Sequence, residues 1–342
     1  MSQEKNFFQP FRPSWRRFGV WSLPLLAIPC LVLVVGSSVS TSVRSQLKLP
    51  TAEKNITVAV TQEKVVKQNP VAITPPLPKT PPQLPAHQPT DVEIRVAIAR
   101  NASMVPVATS TRGILKDNKG HALRTLPAGA GFYTQPAGNR IDFGSWKSPD
   151  SSIWIEAADG GAVAVGENWY RGKVQLISTG SSLLAVNHVN LEPYLYSVVG
   201  AEMWSTWPIE ALKAQAVAAR SYALARKMEA RSPFYDLGAT QAWQVYKGLS
   251  SETSSTQEAV NQTAGQILVS EGKLVDAWYA STDEVSLKAH GGRGMSQNGA
   301  MQMAKAGHGH ETILGNYYKG AGLARLHLPN FQSLGWRSQK PQ

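Results

Sequence analysis

Cysteine is almost absent from this chain: Cys30 is the one thiol in 342 residues. A single thiol closes no intrachain disulfide. Because Cys30 lies in an apolar N-terminal segment, the folded part has no thiol nucleophile either. Acidic residues are also few. The 23 Asp and Glu stand against 34 Lys and Arg, for a formal charge of +11. That excess favours anionic partners, whether a wall polymer, a membrane surface or nucleic acid. The basic residues are scattered and no nucleic-acid-binding motif occurs, which argues against the last. Residues 92 to 188 lack strand–helix alternation, which excludes a doubly wound nucleotide-binding sheet. No internal repeat is evident. His308 and His310 have a metal-compatible spacing in Gly307-His308-Gly309-His310 but no third ligand nearby. An exposed turn is expected there, with no metal and no cofactor.

The chain divides by composition. Residues 1–17 form a basic tail with Arg12, Arg16 and Arg17. An apolar run follows from Phe18 to Val35, interrupted by Gly19, Ser22, Pro24 and Pro29. Its length is close to the ~20 residues that span a bilayer. The basic flank puts the N-terminus in the cytoplasm and the bulk of the chain outside. A cleaved signal peptide is the rival reading, since Gly36-Ser37-Ser38-Val39-Ser40 offers small residues for cleavage. The length of the run favours an uncleaved single-pass anchor over residues 18–36. Residues 37–91 read as a proline-rich linker, with Pro70, Pro75, Pro76, Pro78, Pro81, Pro82, Pro85 and Pro89. Such a stretch is extended at ~3.1 Å per residue, a semi-rigid spacer. A docking site for proline-binding domains is the competing reading. Residues 92–325 form the main domain and residues 326–342 a C-terminal tail.

The main domain reads as α+β: a β-rich N-terminal part, then helices and further strands, preceded by the transmembrane helix and linker. Val92–Ile98 alternates as an amphipathic strand. Apolar runs at 153–155, 163–165, 174–177 and 183–186 follow, with Asp159-Gly160-Gly161 and Thr179-Gly180-Ser181 as expected hairpin connections. Further strands are expected near Gln266–Val269 and Val275–Tyr279. Between them, Pro208 fits the first position of a long Ala-rich helix and Glu210 its first turn. Ile209, Leu212, Ala216, Ala219 and Ala223 repeat at helical spacing, which predicts one narrow inward face.

Ahead of that helix, a short loop is expected to carry Glu202 with two tryptophans, Trp204 and Trp207. A lone carboxylate beside aromatic rings suits a sugar chain: apolar sugar faces stack on rings while the acid protonates a glycosidic oxygen. A solvated loop acid is the ordinary alternative.

The run Val189-Asn190-Leu191-Glu192-Pro193-Tyr194-Leu195, then Val198-Val199-Gly200-Ala201-Glu202-Met203, Trp207-Pro208 and Ala211-Leu212-Lys213-Ala214-Gln215-Ala216-Val217-Ala218-Ala219-Arg220, resembles the SpoIID/LytB family. Gln244-Val245-Tyr246-Lys247-Gly248, Asp276-Ala277-Trp278-Tyr279-Ala280-Ser281-Thr282 and Gly294-Met295-Ser296-Gln297-Asn298-Gly299-Ala300 agree with it. The resemblance covers about residues 92 to 323. It implies a cell-wall protein whose main domain lies on the periplasmic or cell-wall side of the membrane. One branch is a lytic transglycosylase cutting peptidoglycan glycan strands stripped of stem peptides. The other enhances a wall amidase. The glutamate of the Gly-Glu-Met motif is the enzyme's catalytic acid, which maps onto Glu202. The substrate-binding set expected around it is Trp204, Trp207, Arg220, Tyr222, Tyr246, His290, Ser296 and Gln297. Within that set Arg220 is also read as holder of an acidic partner, Tyr246 equally as a core tyrosine, and Ser296 as the N-cap of a helix over Gln297–Lys305.

The chain also departs from the family pattern. Relatives that bind zinc carry Cys and His before the Gln-Val-Tyr motif, where this chain has Gly238, Ala242 and Trp243. Family members also insert a long segment between the Ser-Thr motif and His-Gly-x-Gly-Met-Ser-Gln. Here Ser281-Thr282 runs almost directly to His290, and two glycines and Arg293 then separate it from Gly294-Met295. Three readings follow: a transglycosylase, a wall-binding enhancer of an amidase, or a degenerate product whose C-terminal region is partly unfolded.

Overall fold

The computed structural model describes residues 92–229 and 231–326 and the backbone of 336–337, all within the second of two compact units, 67–342. The expected basic tail, anchor and linker lie outside the described residues. Among the described residues no helix is long and apolar enough to cross a membrane.

The β-rich part runs through β1 (Glu93–Ala102), β2 (Val105–Thr109), β3 (Gly113–Lys116), β4 (Ala122–Leu126), β5 (Phe132–Pro136), β6 (Ile141–Asp142), β7 (Ser152–Ala157), β8 (Val163–Val165), β9 (Asn168–Tyr170), β10 (Lys173–Ser178) and β11 (Leu183–Asn190). Two helices follow, α1 (Leu191–Glu202) and α2 (Ile209–Glu229), then β12 (Leu237–Gly238), α3 (Ser254–Gln262), β13 (Gln266–Ser270), β14 (Lys273–Val275) and β15 (Tyr279–Ala280). The chain continues with α4 (Asp283–His290), β16 (Met295–Ser296), α5 (Gln297–Lys305), α6 (His310–Tyr317), β17 (Gly322–Arg325) and β18 (Trp336–Arg337). The α+β reading holds for this part.

A seven-stranded sheet has the order β12-β1-β11-β10-β7-β3-β4, and a five-stranded sheet the order β6-β5-β2-β8-β9. Alternation puts Ile94, Val96, Val174, Leu176, Ile153 and Ile155 on the core side of the larger sheet, all buried. Thr179-Gly180-Ser181 does join β10 to β11 as a hairpin, with Ser178 opposite Leu183. Asp159-Gly160-Gly161 does not form one. It joins β7 to β8, which belong to different sheets, through a 3-10 turn with Asp159 at φ 53°. The strand expected at Val275–Tyr279 is likewise two strand ends, β14 stopping at Val275 and β15 starting at Tyr279.

The largest correction concerns α2. Residues 214 to 226 are buried without a break, rather than along one stripe. The helix runs through the middle of the α-helical part, against α1, α3, α5, α6 and β13. Seven alanines from 211 to 225 are fully buried, so neighbours approach from every side. A helix surrounded in this way needs no polar face.

Candidate functional site

Glu202 is the last residue of α1, not a loop residue. Gly200, two residues earlier in the same helix, lets the chain pass close: a Cβ there would sit 1.9 Å from the Ser251 carbonyl oxygen. On the same flank the Ser197 and Ser251 hydroxyls meet at 2.9 Å, and the Lys247 N–H donates to Ser197 Oγ at 3.1 Å. This contact lays residues 244–251 along α1. As a result the Val245 N–H donates to Glu202 Oε1 at 2.8 Å.

The second oxygen meets a third part of the chain. Gln297 Nε2 lies 3.4 Å from Glu202 Oε2. Gln297 opens α5, and Ser296 Oγ caps that helix by accepting from the Gly299 N–H at 3.1 Å, as its sequence position suggested. Ser296 is held in β16, paired in parallel with β15, Ala280 opposite Ser296. Parallel strands need a crossover of a dozen or more residues. Residues 281–294 supply it through α4, capped at its start by Thr282 Oγ1 and at its end by Gly291 in the left-handed region. Residues 279–296 thus form a closed β-α-β unit.

Burial pushes the Glu202 carboxyl above its ordinary value of 4.5, and the hydrogen bonds from Val245 and Gln297 only partly offset it. Among the described residues no cation pairs with it. Beneath it lies a buried polar network. Tyr194 donates to Gln244 Oε1 at 2.8 Å, and Gln244 Nε2 donates to the Ala219 carbonyl at 3.1 Å and to the Tyr279 hydroxyl at 3.0 Å. Burial first, then neighbouring charges including Glu202, holds both tyrosine hydroxyls well above their usual range, so they stay neutral.

The expected site residues therefore separate. Glu202 and Gln297 come together, and Trp204, 74% exposed, stands two residues from the acid. A ring that open to water does not dry Glu202; Met203, 4% exposed, is buried instead. Trp207 packs half-buried on the core. Arg220 is not available to substrate: it is fully buried, paired with Glu192 of α1 at 2.6 Å, and donates to the Gln266 carbonyl at 3.1 Å. Tyr246 is a core tyrosine, its hydroxyl on Asn187 Oδ1 at 2.7 Å. Ser296 is fully buried and serves as a cap. Tyr222 is buried edge-on to Trp278, with Arg226 against its ring. His290 ends α4 and stacks on Trp278 at 4.7 Å, where burial lowers its pKa. Trp278 in turn donates to Asp276, which pairs with Arg226. Missed from the sequence were Val245, Gln244, Tyr194 and Tyr279. The Gln-Val-Tyr motif signalled the first two, although its valine alone, through the backbone, bonds the acid.

His308 is exposed, while the His310 N–H and Nδ1 meet Glu210 Oε2 at 2.8 and 2.9 Å. Among the described residues no group of three His, Cys, Asp or Glu side chains is arranged to hold a metal ion.

Residues 179–269 match the model of the SpoIID family, stage II sporulation protein. An uncharacterized protein of Brachyspira hyodysenteriae is 38% identical over 114 residues, 33% of this chain and 31% of that protein. The amidase enhancer of Bacillus subtilis is 40% identical over 89 residues, 26% of this chain and 12% of its own length. The stage II sporulation protein D of the same species is 36% identical over 114 residues, 29% of this chain and 33% of that protein. The matched regions thus cover a third or less of each relative's length.

Proposed function

We propose, from a chain whose residues 179–269 belong to the SpoIID family, that it is a peptidoglycan lytic transglycosylase with Glu202 as its one acid and base. The observation that carries this reading is the partly dried Glu202 carboxyl, set between the Val245 N–H and the Gln297 amide. A raised pKa keeps a larger share of the carboxyl protonated near neutral pH, as a general acid requires.

The neutral acid gives its proton to the bridging glycosidic oxygen as the C1–O bond breaks. The resulting carboxylate accepts hydrogen bonds from Val245 and Gln297. It then takes the proton of the sugar's own C6 hydroxyl, and that oxygen closes on C1. The products are a 1,6-anhydro sugar and a new chain end, with Glu202 protonated again. No external water is activated, so a second carboxylate at glycosidase spacing is unnecessary. Trp204 offers an open ring for the glycan beside the acid. With an anchor at residues 18–36, the domain works on the outer side of the cell membrane.

The test incubates the full-length chain with purified peptidoglycan, intact and amidase-treated, and seeks 1,6-anhydro-muramyl ends by mass spectrometry. Wild type is expected to produce them, and Glu202→Gln to lower the rate by about 10²–10⁴-fold. A second reading is a wall-binding protein that stimulates an N-acetylmuramoyl-L-alanine amidase. The likeness to the amidase enhancer favours it, as does the burial of Arg220, Tyr222 and Tyr246, which leaves fewer groups to grip substrate. Folded wild-type protein that sediments with peptidoglycan, makes no anhydro ends and accelerates an amidase would replace the first reading with the second.

A further inference from the structure

The outer face of the seven-stranded sheet carries a polar groove away from Glu202. Glu93 of β1, His188 of β11, Lys173 of β10, Trp154 and Glu156 of β7 and Lys116 of β3 share that face by strand register. A cavity of about 450 Å³ opens there, lined by Glu93, Lys173, Glu156 and His188, with Asn190 and Pro193 at the start of α1. A second, of about 290 Å³, adjoins it through the shared Lys173 and Glu156 and is lined by Trp154, Lys116 and the 117–120 turn. Together they lie within the size range of small-ligand sites.

The groove holds unused hydrogen-bonding capacity. Lys173 and Glu93 face each other at 3.7 Å, an ion pair too long for a hydrogen bond, with both side chains about 40% exposed. His188 is 7% exposed; its Nδ1 is fixed on Glu93 at 2.8 Å while its Nε2 has no partner. Its ring packs edge-on to Trp154 at 4.5 Å, and the Lys173 ammonium lies 4.7 Å from the same indole. The His188 ring thus forms a buried floor under Trp154 and Lys173, and the polar groups open to the groove are those of Lys173 and Glu93.

The charges nearly cancel. Lys116 hydrogen-bonds Glu156, Lys173 faces Glu93, and Arg171, which also lines the larger cavity, is held by three hydrogen bonds to Glu252. A strongly anionic ligand gains little from such a lining, and an apolar one finds few apolar side chains. Paired donors and acceptors around one indole suit a neutral chain of hydroxyl and acetamido groups. We propose that this groove is an accessory glycan-binding site, separate from Glu202, for a neutral N-acetylated oligosaccharide. It does not rest on the cleavage reading, because it needs binding alone.

The test measures binding of the β-1,4-linked N-acetylglucosamine tetramer to full-length Glu202→Gln protein by titration calorimetry, so that turnover plays no part. Adding Trp154→Ala or Lys173→Ala is expected to weaken binding about tenfold, with Trp154→Phe recovering most of it and Trp204→Ala leaving a measurable remainder. Lys173 is exposed enough that its variant decides the matter if Trp154→Ala fails to fold. Unchanged affinity in folded Lys173→Ala, or loss of all binding in Trp204→Ala, would overturn the groove. So would binding of a muramyl peptide without binding of the tetramer. Absence of anhydro ends from wild type would count only against the cleavage reading.

Discussion

A carboxyl group out of water is comfortable neutral and costly when charged, and Glu202 is in that position. Its folded pKa lies above the ordinary 4.5, burial being the cause. The sign follows from linkage: its contribution to stability is complete below about pH 4.5 and is lost as pH rises through the folded value. Glu202→Gln removes the ionisation and its penalty. The variant is therefore expected to melt above wild type at pH 7 and to approach it at pH 4. Thermal melts across pH 4–8 check this, and an offset that did not grow with pH would contradict it. At this scale the sequence was half legible. The acid could be found by its motif, since a side chain leaves a letter. Its partner at Val245 is a backbone N–H, which any residue but proline supplies. Arg220 allowed two readings, since a basic residue in a motif suits a ligand or an acidic partner alike, and here it pairs with Glu192.

Between elements, that buried Arg220–Glu192 pair fastens α2 to α1, and through the Gln266 and Val260 carbonyls and the Gly265 N–H it reaches α3 and β13. Removing one partner leaves the other charge buried and unpaired. Arg220→Ala is expected to cost about 3–5 kcal/mol, lowering the melting temperature by on the order of 10 °C. Replacing both residues with apolar side chains of similar volume should restore most of that loss. Denaturant melts of the single and double variants check the pair, and additive losses would contradict it. Elements were legible where a local signal sufficed. The Ser296 cap and the β10–β11 hairpin follow from short patterns, and α2 starts at Ile209, one residue after the Pro208 expected to open it. The β7–β8 connection was misread because Asp-Gly-Gly marks a turn without saying which sheets it joins. The all-round burial of α2 was missed because alanine packs equally well inside or out, and periodicity cannot register a helix with neighbours on every side.

For the molecule as a whole, the +11 charge sets the long-range behaviour. Retention on an acidic wall polymer is expected to fall between about 0.01 M and 0.15 M salt, as the screening length shrinks from ~30 to ~8 Å. Co-sedimentation at the two ionic strengths checks it; salt-independent retention would assign binding to short-range contacts alone. The α+β architecture was legible from the change of period along the chain, but the packing of α1, α3, α5, α6 and β13 around one buried helix was not.

The parallel pairing of β15 with β16 has a temporal consequence. Val245 follows Glu202 by 43 residues and Gln297 follows it by 95. Translation delivers the N-terminal side first, so the acid emerges well before either group that orients it. Until α4 has crossed over and β16 has docked, Glu202 lacks its second hydrogen bond. The nascent chain thus carries Glu202 in an unfinished setting, and the environment that holds its carboxyl is complete only once residues up to Gln297 have folded.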